Sequence, residues 1–305
     1  MIDSAQVLKY LCRDSSFLDK DILIVLGPTA SGKTKLAVQL AKSLNAEIIS
    51  ADSRQVYRHM DIGTGKDIQE YKDIPSHLID IVDPGEHYNV ARFLADFEQA
   101  YLQIIARGKR VVVCGGTGFY IQALLAPQPY NQIPTDTAWR EQQEQKTKED
   151  IKCMLDQYTT PEGFKIDYSS KKRMVRALEV LKWLSQSGHL LPQNTRTYTA
   201  TIIGIDPVSE IRRQRISTRL YQRLDQGMIE EVQLLLQSGL NYNEIEYYGL
   251  EYKYISYYLR GILDYDSCVQ KLETEIHRYA KRQMTYFRKM EREGCHIYWL
   301  SSFFK

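Results

Sequence analysis

An apolar run, Ile22-Leu23-Ile24-Val25-Leu26, leads directly into Gly27-Pro28-Thr29-Ala30-Ser31-Gly32-Lys33-Thr34, and that in turn into Lys35-Leu36-Ala37-Val38-Gln39-Leu40-Ala41. No other stretch constrains the fold as much. G-x-x-x-x-G-K-T between a strand-like and a helix-like segment is a phosphate loop in the context that such a loop requires. The glycines let the backbone curl so that several N–H groups face inward. Lys33 adds a point charge, Thr34 offers a hydroxyl to Mg²⁺, and the helix N-terminus directs its partial positive charge at the same spot. The pattern implies a site for a di- or triphosphate; the plain alternative is an ordinary Gly-rich turn.

The segments that follow alternate between two periods. Strands are expected at 22–26, 47–50, 78–82 and 110–114, and helices at 34–44 and 90–106. Such alternation specifies a parallel sheet covered by helices. The expected class is therefore α/β, a P-loop NTPase-like parallel sheet flanked by helices. Asp52 ends the second strand and falls on the sheet edge where open α/β sheets place their ligands. It reads equally as an acid that helps to hold Mg²⁺ or as a general base for an incoming nucleophile. Gly115-Gly116-Thr117-Gly118 follows the strand Val111-Val112-Val113 to the same edge, where a tight strand-to-helix turn would explain it too.

At Ala126-Pro127-Gln128-Pro129 the texture changes. A charged, glutamine-rich stretch at 139–156 has helical spacing, and only helical signals continue to about residue 193. Residues 199–205 read as a strand again, and from Glu210 the pattern is helical. The expected division is a catalytic core of 1–125 and 198–305 with C-terminal helices, and a helical insertion domain of 126–197. A 43% hydrophobic and 26% charged composition is ordinary for a globular chain. A net charge of +2 announces no nucleic-acid binder, so RNA contact would come from local clusters. Three exist: Lys171, Lys172, Arg173 and Arg176; Arg212, Arg213, Arg215 and Arg219; and Arg278, Lys281, Arg282, Arg288, Lys289 and Arg292 with Tyr279, Tyr286 and Phe287 interleaved. Cations meet phosphates and aromatic rings stack on unpaired bases, although a solvated helix face is the simpler account of such a run. No apolar run approaches the length of a membrane span. The N-terminus lacks a secretory apolar region, and the five cysteines (Cys12, Cys114, Cys153, Cys268, Cys295) form no C-x-x-C pair. A reduced, cytoplasmic, membrane-free protein, monomeric by default, is expected.

Taken in order, GPTASGKT, Asp52-Ser53-x-Gln55-x-Tyr57, Asp61-Ile62-Gly63-Thr64-Gly65-Lys66, His77-Leu78-Ile79-Asp80, Asp83-Pro84, Cys114-Gly115-Gly116-Thr117-Gly118-Phe119-Tyr120, Arg173-Met174-Val175-Arg176-Ala177-Leu178-Glu179-Val180 and Ala280-Lys281-Arg282-Gln283-Met284-Thr285-Tyr286-Phe287-Arg288 resemble the tRNA dimethylallyltransferase family. The blocks run over almost the whole chain. The resemblance implies transfer of a dimethylallyl group from dimethylallyl diphosphate to the exocyclic N6 of adenine 37, next to the anticodon of tRNA. It implies that Gly27, Pro28, Thr29, Ala30, Ser31, Gly32, Lys33, Thr34 and Arg219 bind the diphosphate, with Mg²⁺ on Thr34. It makes Asp52, Lys33 and Thr117 catalytic, Thr117 lying by the reacting adenine. It puts tRNA contacts at Asp52, Ser53, Arg54, Gln55 and Thr117, at Arg140, at Lys172, Arg173 and Arg176 in the insertion domain, and at Lys281, Arg282, Gln283 and Arg288. The chain departs from the usual family pattern at Lys172, Glu251, Ile276-His277 and Tyr286.

An aromatic amine is a poor nucleophile, so the implied reaction must stabilise the leaving diphosphate and remove the amine proton. The adenine must also leave its stack, which favours a single-stranded anticodon loop as substrate. A small-molecule kinase, an isopentenyltransferase acting on free adenine nucleotides and a non-catalytic RNA-binding NTPase module are the competing classes.

Overall fold

The computed structural model describes residues 7, 9, 17, 19–126, 129–186 and 196–300. Cys12 and the first residues of the N-terminus lie outside these, as do 127–128 and 187–195 near the two expected boundaries of the insertion.

The chain divides into two compact units, Met1–Ala126 with Thr197–Lys305, and Pro127–Arg196. The first holds a six-stranded, wholly parallel sheet of order β3-β2-β4-β1-β5-β6. Its strands are β1 (Ile22–Leu26), β2 (Ala46–Ser50), β3 (Ser76–His77), β4 (Arg110–Gly115), β5 (Ala200–Gly204) and β6 (Ile297–Trp299). Every residue of β1 is buried, as expected of a central parallel strand covered on both faces. Its two-residue period sends Ile22, Ile24 and Leu26 into one core and Leu23 and Val25 into the other. The smaller core is closed by α1 (Lys33–Leu44) through Leu36, Ala37, Leu40 and Ala41. The larger is closed by α2 (Val90–Ala106), α3 (Gly118–Leu125) and the C-terminal helices α7 (Ser209–Asp225), α8 (Met228–Gln237), α9 (Tyr242–Tyr247), α10 (Leu250–Leu259) and α11 (Tyr265–Arg292). Each fully buried aliphatic or aromatic side chain contributes roughly 1.5–3 kcal/mol, so these two clusters fix the sheet and the edge from which its loops emerge.

The second unit is helical, with α4 (Thr137–Glu144), α5 (Lys148–Leu155) and α6 (Lys171–Ser185) around Ile151, Leu155, Met174, Val175, Leu178 and Leu181. The helical stretch expected at 139–156 is two helices. Thr147 and Asp150 form a reciprocal capping box that starts α5 and thereby ends α4 before it.

Two expectations change on the sheet. The strand placed at 78–82 is only Ser76–His77, because Leu78 (φ 61°) and Asp80 (φ 54°) adopt left-handed backbone that an extended strand cannot hold. Val82 keeps a single bridge to Tyr57. The strand β6 was not anticipated; three residues after a long helix carry too little period to be read. Among the described residues, no helix is long and apolar enough to cross a membrane.

Candidate active site

β1, β4 and β2 are neighbours in the sheet, so the loops after them leave the same edge side by side. The loop after β1 is the phosphate loop. Ala30 (φ 59°) and Gly32 (φ 87°) both take left-handed backbone there, and Gly32 caps α1 with no side chain in the way. The Ser31 hydroxyl is buried in the loop and has no hydrogen-bond partner among the described residues. Burial pushes the Lys33 ammonium down, while the neighbouring Asp52 carboxylate pulls it back up. Cys114 is itself pushed up to about 11 by burial, which keeps its thiol neutral and inert.

The loops after β2 and β4 are locked together. The Ala51 N–H donates to Cys114 O at 2.8 Å and the Ser53 N–H donates to the Thr117 hydroxyl at 3.1 Å. Gly115 must be glycine, since a Cβ there would sit 2.2 Å from Ala51 O. Asp52 accepts the Arg54 N–H at 2.9 Å, an Asx-type turn that holds the carboxylate at the strand end. Gln55 accepts from the Ser50 hydroxyl and donates to Gly65 O, each at 3.1 Å. Gln283, on α11, is buried between the first and third loops. It accepts the Thr29 N–H and donates to Gly116 O, both at 2.9 Å. Its amide thus bridges and aligns the two loops.

Beside these loops lies the segment 61–66, held by a residue that the sequence did not single out. One Glu231 carboxylate accepts the N–H groups of Asp61 and Ile62 at 2.7 Å, the Gly63 N–H at 2.9 Å and the Tyr252 hydroxyl at 2.8 Å. An acid in the first turn of a helix reads from sequence as a dipole complement, so no local signal distinguishes it. Lys66 is 1% exposed and spends its ammonium on Tyr57 O, Asp61 and Asp80. It is a structural cation.

A cavity of about 420 Å³ lies along these loops, bordered by Thr29, Lys33, Thr34, Asp52, Gly65 and Arg219 and walled by Tyr247 and Tyr279. A second, of about 630 Å³, lies along the outer side of the phosphate loop and α7. Lys33, Thr34, Arg219 and Arg223 border both. Arg219 donates to Gly65 O at 3.3 Å and pairs with Asp67. Arg215 reaches Ser31 O at 3.4 Å.

The IPP transferase family model matches residues 55–290, and the isopentenyl transferase model matches residues 20–73. The chain belongs to the IPP transferase family. It is 45% identical to tRNA dimethylallyltransferase 2 of Bacteroides fragilis over 93% of this chain and 94% of the relative. It is 46% identical to tRNA dimethylallyltransferase 1 of Azobacteroides pseudotrichonymphae, covering 92% of each. The solved tRNA isopentenylpyrophosphate transferase of Bacillus halodurans shares 32% identity and a TM-score of 0.66 over 92% of this chain and 89% of that one. A eukaryotic dimethylallyltransferase acting on tRNA superposes with a TM-score of 0.70 at 22% identity, covering 92% of this chain and 74% of that one, a likeness of fold.

In this member of the family the expected RNA-contacting cations fall into two groups. Lys281, Arg282 and Arg288 are exposed on α11; Arg282 lies 3.9 Å from Glu275 and Arg288 lies 4.0 Å from Asp206. Two of the three aromatic residues interleaved with them are taken up by the fold: Phe287 is fully buried, and Tyr286 is half-buried and donates to Gln122. Only Tyr279 of the three is exposed. In the helical unit, Lys172 is exposed and Arg173 pairs with Asp167 at 2.6 Å. Arg140 and Arg176 instead converge on buried Glu179, Arg140 at 2.5 Å, and Arg176 also donates to Tyr130 O and Ile133 O at 2.8 and 2.9 Å. Burial raises the Glu179 carboxyl, and the hydrogen bonds from Arg140, the Asp136 backbone and Arg176 outweigh it and leave it below its ordinary value. These two arginines tie α4 and the segment 130–133 to α6.

Proposed function

We propose that the protein transfers a dimethylallyl group from dimethylallyl diphosphate to the exocyclic N6 of adenine 37 in tRNA and releases diphosphate. The observation that carries this is the convergence of three loops on one sheet edge in a member of this family, Lys33 and Asp52 lining one cavity and Thr117 tied to it through the Ser53 N–H. The phosphate loop N–H groups, Lys33 and Arg219 hold the diphosphate, and the orphan Ser31 hydroxyl has the polarity that a phosphate oxygen satisfies. As N6 attacks C1 of the allyl group, the C1–O bond breaks with its electron pair on the diphosphate. The fixed donors neutralise the charge as it develops. Asp52 takes the N6 proton, and Thr117, hydrogen-bonded to the Ser53 backbone, positions the adenine beside it.

The residues present fit Mg²⁺ held through substrate phosphates, with Thr34 and Asp52 on the same cavity. Among the described residues no cluster of three metal-ligating side chains exists, and a Mg²⁺ that keeps its waters and borrows phosphate oxygens needs none. When bound it would supply charge to the leaving diphosphate. The described cysteines are all free thiols, which supports a reducing, cytoplasmic setting.

The test is to incubate the protein with dimethylallyl diphosphate and, separately, bulk tRNA, AMP or ATP as acceptor, and to weigh the products. The expected result is a mass gain on tRNA alone. A gain on AMP or ATP alone would move the chain to the free-nucleotide class.

A further inference from the structure

Helix α7 carries a fifth arginine one turn beyond Arg219, and the diphosphate site as assigned leaves it without a task. Arg223 stands against the segment 61–66. A Cβ placed on Gly65 would lie 1.6 Å from Arg223 Nη2 and 2.8 Å from Arg219 Nη2, so the two guanidinium groups share one glycine face. Arg219 is occupied by Gly65 O and Asp67. Arg223 Nη2 is buried and has no hydrogen-bond partner among the described residues. Burial and the like charge of Arg219 push its guanidinium down to about 10, with Glu251 opposing; it remains charged at neutral pH. An ionised donor held out of water without an acceptor is costly. Here it borders the same cavities as Lys33 and Thr34 and a narrow crevice formed with Thr29, Ala30 and Glu251.

We propose that Arg223 is a second arginine of the diphosphate site, its free Nη2 donating to a diphosphate oxygen. The inference rests on the assignment of the phosphate loop to the diphosphate. With Arg219 already paired to Asp67, a diphosphate bearing several negative charges finds in Arg223 the cation with spare donor capacity. Burial pushes the Glu251 carboxyl up while Arg223 draws it down. Glu251 borders the same crevice and cavity as Arg223, so its carboxyl competes with a diphosphate for that guanidinium.

Inorganic pyrophosphate binding to the full chain, measured by calorimetry with Mg²⁺ present, tests this in Arg223→Gln, Arg223→Lys, Glu251→Gln and Lys33→Ala. Hydrogen bonds to charged groups correspond to roughly tenfold to a hundredfold in affinity. Arg223→Gln should weaken pyrophosphate by at least about tenfold, with Arg223→Lys recovering part of the loss. Glu251→Gln should tighten it, the opposite sign, whereas a merely structural ion pair would make both substitutions harmful. Unchanged affinity in Arg223→Gln overturns the inference; if that variant does not fold, a Glu251→Gln protein that binds pyrophosphate no tighter than wild type overturns it. The two readings fail separately. If wild type and Lys33→Ala bind pyrophosphate alike, the assignment of the phosphate loop falls. If Lys33→Ala is weak and Arg223→Gln is unchanged, only Arg223 is misassigned.

Discussion

Lys33 and Asp52 follow β1 and β2, two strands separated by β4 in the sheet, and answer to different experiments. Lys33→Ala removes a charge-assisted donor whose contact strengthens as the diphosphate departs. Loss of one such donor costs about 3 kcal/mol, roughly a hundredfold in kcat, and pyrophosphate affinity should fall with it; near-normal turnover would detach the loop from the leaving group. Asp52→Asn keeps the size and the hydrogen bond to the Arg54 N–H but cannot accept a proton. As a base Asp52 matters to the transition state, so kcat should drop steeply with tRNA affinity little changed. Recovery of the variant by raised Mg²⁺ alone would identify a metal ligand instead. Both residues were legible because their meaning is local, a loop pattern and a strand end. Glu231 and the bridging role of Gln283 were not, since their partners lie 168 and 254 residues away and only the folded sheet edge brings them together.

Among the elements, α11 has two faces with different work. Its inner face, Gln283, Met284, Phe287 and Met290, is buried, while Lys281 and Arg282 point to solvent. Replacing both by Gln should weaken tRNA binding and reduce its salt slope by about 2, one unit for each phosphate no longer neutralised, with pyrophosphate binding intact. A filter-binding titration across salt concentrations decides it, and an unchanged slope leaves α11 a solvated face. The sequence showed the basic period of this helix but not that Tyr286 and Phe287 serve the core, because a helical repeat alone does not say which stripe is covered. In α6 the same ambiguity hid Glu179. Its carboxyl titrates below the ordinary 4.5, so its contribution is present above that value and is lost as pH falls through the lower folded one. Glu179→Gln leaves two partly buried guanidiniums without a counter-charge and should cost about 3 kcal/mol. Wild-type thermal stability should fall toward that of the variant on acidification below 4.5; a constant gap between the two would remove Glu179 from the account.

At the scale of the whole chain, the division of labour follows from where each core lies. The two sheet cores draw only on residues before Ala126 and after Thr197, and the helical core draws on α4, α5, α6 and the segment between the last two, through Tyr158, Phe164 and Ile166. The two ends of the insertion also meet within the first unit. The Tyr198 N–H donates to Leu124 O at 2.9 Å, and the buried Tyr198 ring packs edge-on against Phe97 and Tyr101 at centroid distances of 5.1 and 4.9 Å. A short flexible linker in place of residues 127–196 can therefore join Ala126 to Thr197 without stretching the sheet, and loop closure adds little entropy at that length. The shortened chain should fold with its sheet and phosphate loop in place and should bind pyrophosphate within a few-fold of wild type. It should lose most of its tRNA affinity if Lys172 and Arg173 carry the RNA contacts assigned to the insertion. Pyrophosphate calorimetry and tRNA filter binding on the same preparation separate the outcomes. Loss of both would show that the catalytic edge depends on the helical unit for its fold, and retention of both would leave the RNA grip to α11 and the first unit alone.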